Sequence, residues 1–222
     1  MDWTALWLSL RLAGWTVVFL LPIAVFAGRF LAYRRFGGKG LIEALVMLPL
    51  VLPPTVFGFY LLLAFGAQSP LGQFWIATFG HQLVFSFQGL VVASIIFNLP
   101  FAIQPAQRGF EAVPSDVREA ASCCGMSPLR SLWRVELPLA WPGLVTAMVL
   151  TFAHTLGEFG IVLMVGGSIP GETKTIAISI YDSVQGFDDR GAATMSAVLV
   201  AISLFTIAVT YWLSSRVGRR LG

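Results

Sequence analysis

The sequence predicts an all-α polytopic membrane protein with five membrane-spanning helices. The first observation is composition, because the 222 residues are 57% hydrophobic and only 11% charged, whereas soluble domains carry about 25% charged residues. The second observation is length, because a helix needs roughly 20 apolar residues to cross a bilayer. Five apolar stretches reach that length, and they lie at about 9–30, 43–66, 83–107, 139–165 and 191–214.

The first stretch is predicted to stay in the protein as a helix rather than to be a cleaved signal peptide. A signal peptide begins with basic residues, whereas this chain begins Met1-Asp2-Trp3. The basic cluster instead follows the apolar run. It consists of Arg29, Arg34, Arg35 and Lys39.

The second stretch contains Pro49, Pro53 and Pro54. Each proline removes a backbone donor and frees carbonyls of the preceding turn, and such breaks are tolerated in lipid only against protein or a water-filled cavity. A packed kink is the ordinary explanation. Because three prolines within six residues are followed by Thr55 and Gly58, a break that faces a cavity is the favoured prediction.

The basic residues predict the direction of the helices, since Lys and Arg favour the cytoplasmic side of a membrane. The opposite side holds Lys174, Arg190 and, near its interface, Arg11. The N-terminus is therefore expected outside and the C-terminus in the cytosol. Eleven of the fourteen basic residues lie on the predicted cytosolic side: Arg29, Arg34, Arg35, Lys39, Arg108, Arg118, Arg130, Arg134, Arg216, Arg219 and Arg220.

Polar side chains inside the later stretches are candidate functional groups. His154 and Glu158 lie four residues apart, and on one helix they would share a face. Glu158 would lie about 28 Å along that helix, near the outer interface, where Arg11 enters the first stretch. We predict that Glu158 pairs with Arg11 or accepts hydrogen bonds, and a gate or pH-sensitive element is the alternative. Asn98 is expected to hydrogen-bond between helices rather than to contact a ligand.

The cytosolic segment 111–138 is predicted to form two short helices separated by a turn. Ser115 can cap the first helix, with Asp116 and Glu119 in the first turn, where the helix dipole favours negative charge. Gly125 can take the left-handed conformation that ends a helix.

The second short helix is predicted to begin at Ser127, with Pro128 in its first position. Leu129, Leu132 and Trp133 are expected to form its apolar face. The apolar faces of the two helices are too narrow to bury one another, so an outside partner is expected. An ordinary interfacial loop is the alternative.

This segment resembles the permease subunits of bacterial ABC importers. Their pattern is EAA, three residues, Gly, nine residues, then I-x-L-P, and the chain matches it from Glu119 to Pro138 with Val135 in place of Ile. The resemblance implies the type I importer permease fold, in which residues 116–126 form a coupling helix between spans 3 and 4 that docks on a cytosolic ATPase. The implied coupling residues are Asp116, Arg118, Glu119, Ala120, Ala121, Gly125, Met126 and Pro138.

The chain is not expected to hydrolyse ATP itself. A phosphate-binding loop reads G-x-x-x-x-G-K-[ST]. Gly166 and Gly171 have the right separation, but Glu172-Thr173 intrudes before the following lysine and threonine. No metal-ligand cluster is visible either, since His81 and His154 are far apart in sequence. A non-catalytic transport subunit is therefore predicted, with no cofactor of its own and with ATP and Mg²⁺ used by the partner subunit.

Over nearly its whole length the chain resembles the molybdate-transport permeases, most strongly at 48–63, in the EAA segment and at 156–181. The resemblance implies molybdate as cargo, with tungstate left open and sulfate or thiosulfate permeases as the alternative. It also implies that the second span lines the translocation path and its gate. The candidates for that path are Pro53, Pro54, Thr55, Gly58, Thr151, His154 and Thr155.

The outer segment at 165–175 is rich in Gly, Ser and Thr, and backbone amides in such turns can bind anions. A plain loop is the alternative, but a docking surface for a binding protein is favoured. The expected docking residues are Ser168, Pro170, Gly171, Glu172 and Lys174.

The resemblance implies a bacterial inner-membrane complex rather than a protein that works alone. The expected partners are a second copy of the chain, two ATPase subunits, an extracytoplasmic oxyanion-binding protein and membrane lipid, without nucleic acid. A self-sufficient secondary transporter is the competing class, and it would call for inverted repeats, of which none is convincing here. A membrane scaffold or enzyme is the second competing class. Copurification with an ATPase would exclude both.

Overall fold

The computed structural model describes the backbone of residues 1–221 and the side chains of residues 1–208, and its regular elements are all helical, which confirms the all-α class. The α-helices run in this order: α1 (Trp3–Tyr33), α2 (Lys39–Val51), α3 (Pro54–Phe65), α4 (Pro70–Phe79), α5 (Phe87–Glu111), α6 (Ser115–Cys123), α7 (Pro128–Ser131), α8 (Leu137–Gly157), α9 (Gly160–Gly166), α10 (Ile176–Gln185) and α11 (Asp189–Leu221). A π-helical turn, Leu132–Glu136, joins α7 to α8.

Within the described part of the chain, four helical stretches are long and apolar enough to cross a membrane. They are α1, α5, the continuous helix Pro128–Gly157, and α11 as far as Ala208. The pair α2 and α3 makes a fifth if the bent pair counts as one span. Of the predicted stretch at 191–214, the side chains beyond residue 208 lie outside the described residues, and so do those of Arg216, Arg219 and Arg220.

The proline cluster divides the predicted span at 43–66 into two helices whose axes differ by 108°. Leu52 is extended, with ψ of 138°, because a residue that precedes proline is disfavoured in the helical region. Pro53 then serves as the N-cap of α3, and Pro54 takes the first helical position, where its missing N–H has no helical partner to lose. Pro49 stays inside α2.

The core lies where α1, α5 and α8 cross, and small residues bring these helices together. Gly109 of α5 faces Gly143 of α8 so closely that a Cβ on Gly143 would lie 2.6 Å from the Cα of Gly109. A Cβ on Gly28 of α1 would lie 3.0 Å from the Cβ of Ala106. Such contacts replace the hydrophobic driving force that is weak between helices in lipid.

A second helix break lies opposite the first. The predicted span at 139–165 ends as α8 at Gly157 and resumes as α9, which packs on α3. A Cβ on Gly58 of α3 would lie 2.9 Å from the Cβ of Met164, and a Cβ on Gly160 would lie 2.9 Å from the Cβ of Pro54. The helices that follow the two breaks, α3 and α9, therefore pack against each other.

Hydrogen bonds fasten the start of α1 to α10. The Asp2 carboxylate caps α1 by accepting from the N–H of Ala5 at 2.9 Å, and its second oxygen accepts from the hydroxyl of Ser179 at 3.0 Å. The hydroxyl of Ser9 accepts from the N–H of Ile176 at 2.8 Å. These bonds fix the outer loop that precedes α10.

We predict that Gly143→Ala destabilises the protein, whereas Gly14→Ala does not. The added methyl at Gly143 meets the backbone of α5, and overpacking of this kind lowers the free energy of unfolding by about 1–3 kcal/mol. A Cβ on Gly14, also helical, meets nothing within 4 Å, and alanine favours a helix over glycine by about 1 kcal/mol. Thermal unfolding of the two variants in detergent measures the difference, and equal melting temperatures would contradict the proposed crossing.

Candidate functional site

The short helix α6 ends as its glycine predicts. Gly125 has φ of +70°, and its N–H donates to the carbonyl of Ser122 at 3.0 Å. The N–H of Met126 donates to the carbonyl of Ala121 at 3.1 Å. This pair of bonds is a Schellman motif, which closes a helix around a left-handed residue. The turn between the two short helices is therefore fixed by Gly125.

One of the two predicted caps in this segment is wrong. Ser127 caps α7, since its hydroxyl accepts from the N–H of Arg130 at 3.3 Å. Ser115 does not cap α6, because Pro114 takes the N-cap position and Ser115 is already the first helical residue. The hydroxyl of Ser115 instead donates to the Asp116 carboxylate at 3.1 Å.

The predicted apolar face at Leu129, Leu132 and Trp133 is split by the π-helical turn. Leu132 is 2% exposed and belongs to the core cluster with Phe110 and Val113, whereas Leu129 and Trp133 are 59% and 63% exposed. One face was predicted from regular helical spacing, and the π-helical turn changes that spacing. Of these three side chains, Leu132 packs in the core, whereas Leu129 and Trp133 remain exposed.

Most of the predicted coupling residues lie on an open surface of the chain. Ala121 is buried and Met126 is half-buried. Arg118 turns inward, and its guanidinium carbon lies 4.0 Å from the centre of the Tyr33 ring. The exposed residues are Asp116, Glu119, Ala120, Gly125 and Pro138.

Sequence reasoning missed the ion pair that holds this segment to α1. Arg29 donates to Glu136 through Nε at 2.5 Å and through a terminal nitrogen at 2.9 Å. The Ser131 hydroxyl donates to the same carboxylate at 3.0 Å. The sequence did contain a signal for this pair. Glu136 and Arg29 each lie at the end of an apolar stretch, and charged residues in such positions need partners.

A hydrogen bond between α5 and α8 joins Asn98 to His154. Nδ1 of His154 lies 3.0 Å from Oδ1 of Asn98. The amide nitrogen of Asn98 donates to the carbonyl of Ser94 at 2.8 Å, so its oxygen faces the ring and Nδ1 carries the proton. The ring also stacks on Phe101, with centroids 4.0 Å apart. Asn98 makes the kind of inter-helix contact that its position predicts.

Of the two arrangements predicted for Glu158, a pair with Arg11 or accepted hydrogen bonds, the structure shows the second. Glu158 is the C-cap of α8, so it does not continue a helix face with His154. Its carboxylate turns toward α9 and accepts from the N–H of Ile161 at 3.2 Å. The guanidinium carbon of Arg11 lies 4.5 Å from the centre of the Phe87 ring. No salt bridge joins Arg11 to Glu158 within the described residues, whereas the predicted hydrogen bonding of Glu158 is observed.

The structure divides the predicted path residues into two groups. Pro53, Pro54 and Thr55 lie at the surface of the chain beside the bend, and His154 is half-buried. By contrast, Gly58, Thr151 and Thr155 are buried. The Thr155 hydroxyl donates to the carbonyl of Thr151 at 2.7 Å, so its polar group is satisfied within α8. Among the predicted path residues, those at the bend between α2 and α3 are exposed, whereas Thr151 and Thr155 are buried.

The outer loop is ordered by its own contacts. Lys174 pairs with Asp182 of α10 at 2.7 Å, and the Ser168 hydroxyl lies 3.5 Å from the same carboxylate. The Thr173 hydroxyl donates to the carbonyl of Gly166 at 2.6 Å. The remaining predicted docking residues are exposed, namely Pro170, Gly171 and Glu172.

An open cavity of about 560 Å³ lies beside this loop. Gly171 and Glu172 line it from the loop, and Arg11, His81 and Gln88 line it from the other side. The exposed loop and the cavity together form a concave surface.

Comparison with known proteins places the chain in one family. A family model described as binding-protein-dependent transport system inner membrane component matches residues 21–222. The chain is 44% identical over 210 residues to the molybdenum transport system permease protein ModB of Azotobacter vinelandii, which covers 95% of this chain and 93% of that protein. It is 34% identical over 187 residues to the sulfate transport system permease protein CysT of Salmonella typhimurium, which covers 84% of this chain and 67% of that protein.

The fold is also similar to that of a solved ABC transporter. A crystal structure of a bacterial ABC transporter involved in the import of the acidic polysaccharide alginate matches with a TM-score of 0.77 at 15% identity, over 96% of this chain and 78% of that chain. This likeness confirms the predicted importer-permease fold. The sequence relatives and the family model agree with it over nearly the full length. The chain belongs to the family of binding-protein-dependent transport system inner membrane components.

Proposed function

We propose that the chain is the membrane-spanning subunit of an ATP-driven importer that carries molybdate across the bacterial inner membrane. The observation that carries the proposal is α6, a short helix that matches the EAA pattern and keeps Glu119 and Ala120 exposed. A small, exposed face at the end of a Schellman-closed helix is suited to docking in a groove on another protein. Within this chain, nothing described covers that face.

The chain works as a homodimer with two copies of a cytosolic ATPase. Five helices do not easily enclose a path, and the exposed bend at Pro53 and Thr55 gives each subunit a surface to turn toward its partner across the translocation path. ATP and Mg²⁺ bind to the ATPase, so this subunit contributes no covalent chemistry. Its N-terminus lies outside and its C-terminus lies in the cytosol, as the distribution of basic residues indicates.

The transport cycle links the two faces of the protein. A loaded oxyanion-binding protein docks outside on the exposed loop residues Pro170, Gly171 and Glu172. ATP closes the ATPases, which draw the two α6 helices together, and the spans rotate to open outward. Hydrolysis then resets the spans inward and releases the anion. The rigid crossing of α1, α5 and α8 is what allows a movement at α6 to reach the membrane.

The cargo is molybdate, with tungstate as a dianion of similar size and shape. Support comes from the molybdenum relative, which is more similar and is matched over nearly its whole length, whereas the sulfate relative is matched over two thirds. A carboxylate on the path would repel an anionic cargo. Glu158 does not do so, because it is 6% exposed and its carboxylate faces α9. Sulfate or thiosulfate import is the second candidate function, and the relationship to the sulfate permease supports it.

We predict that Glu119→Arg abolishes the ATP hydrolysis that the loaded binding protein stimulates. Reversing a charge in a docked interface weakens it, and stimulation should fall at least about tenfold. The matched control is Gly37→Arg, which adds the same side chain to an exposed cytosolic turn with open space around it. Phosphate release by the reconstituted complex measures both variants, and normal stimulation in Glu119→Arg would contradict the role of α6.

We also predict a ranking of anions in the wild-type complex. Molybdate and tungstate, supplied with the cognate binding protein, should stimulate hydrolysis and accumulate in proteoliposomes, whereas sulfate should do so weakly. Uptake of each anion at equal concentration is the measurement. Sulfate uptake above that of molybdate would favour the second candidate function.

A further inference from the structure

The ring of Tyr33, the last residue of α1, lies close to two guanidinium groups. The guanidinium carbon of Arg118 lies 4.0 Å from the centre of the Tyr33 ring, and that of Arg29 lies 5.7 Å away. The ring also packs edge-on against Phe110 of α5, with centroids 6.1 Å apart and planes at 76°. A cation over an aromatic face is attracted by the negative charge of the π system. Tyr33 therefore joins α6, α1 and α5 at one point.

The two arginines that face Tyr33 have different surroundings. Arg29 is neutralised by Glu136 through two hydrogen bonds, and the Glu136 side chain is 3% exposed. Arg118 has no ion pair within the described residues, and its Nε atom is buried without a hydrogen-bond partner. The Tyr33 ring is thus the partner that the fold supplies for the charge of Arg118.

The Arg118 contact is a direct link between α6 and the first membrane helix. The backbone of α6 packs mainly on α7 and on the π-helical turn. Arg118 reaches from the middle of α6 to the end of α1. On the same face of α1, one turn before Tyr33, Arg29 pairs with Glu136 at the end of the π-helical turn, which runs directly into α8.

We propose that Arg118 and Tyr33, with the Arg29–Glu136 pair behind them, form a latch that transmits movement of α6 to α1 and α8. This inference rests on the proposed function. When a docked ATPase displaces α6, Arg118 draws the end of α1 with it through Tyr33. The Arg29–Glu136 pair makes α1 and the start of α8 move together. Arg118 is then a positioning residue that acts within the chain, rather than an ATPase contact as its place in the motif implies.

The latch is tested by comparing Tyr33→Leu with Tyr33→Phe. Leucine removes the aromatic face, whereas phenylalanine keeps it and loses only a hydroxyl that has no hydrogen-bond partner. The readout is the number of molybdate ions transported per ATP hydrolysed by the full complex in proteoliposomes, with loaded binding protein present. The ratio should fall about threefold to tenfold in Tyr33→Leu, in keeping with the loss of the cation–π contacts of the ring, and should be retained in Tyr33→Phe.

A second pair of variants applies if Tyr33→Leu does not assemble. Arg118→Lys keeps a cation over the ring and should retain most of the ratio, whereas Arg118→Met should lose it. A wild-type ratio in Tyr33→Leu, or equal ratios in the two Arg118 variants, overturns the latch. If the wild-type complex shows no stimulated transport, the proposed function falls and the latch falls with it. If the wild type and all the variants transport the same number of molybdate ions per ATP hydrolysed, the latch is overturned and the proposed function stands.

Discussion

The need to satisfy every backbone polar group away from water governs this fold. Two helix breaks, at Pro53–Pro54 and at Glu158–Phe159, leave backbone groups without helical partners. The fold places the breaks against each other, with Gly160 packed on Pro54, and turns the Glu158 carboxylate onto the N–H of Ile161. An acid inside an apolar stretch is thereby explained as a cap for a restarted helix. The bend it supports is the surface that we assign to the translocation path.

The same physics operates where α1 meets the π-helical turn, and there charges rather than backbone groups need partners. A buried carboxylate without a cation would be strongly destabilising, so Glu136 fixes Arg29 and the Ser131 hydroxyl around itself. The Arg29–Glu136 pair holds the end of the π-helical turn next to α1. The exposed helix α6 is therefore mounted on a rigid support, although its own docking face is open. Such a mounting suits a part that must carry force in from another protein.

Local signals in the sequence predicted local structure well. The proline cluster marked the bend, Gly125 marked the end of α6, and Ser127 marked the start of α7. The predicted Ser115 cap failed because the adjacent Pro114 takes the N-cap position, but the other failures depended on features that a linear pattern does not contain. Regular spacing could not show that α8 stops at Gly157, so the helix face that His154 and Glu158 were predicted to share is absent. The inward turn of Arg118 was likewise invisible, because Tyr33 lies 85 positions away and meets it only in the folded chain.

If the ATPase buries α6, two thiols of the protein itself can report it. Cys123 and Cys124 are its only cysteines, and both are free and exposed at the end of α6. The decisive measurement is the rate at which a maleimide labels these thiols in the purified subunit and in the complex with its ATPase. The account predicts labelling at least about tenfold slower in the complex. An unchanged rate while the ATPase remains bound would contradict it.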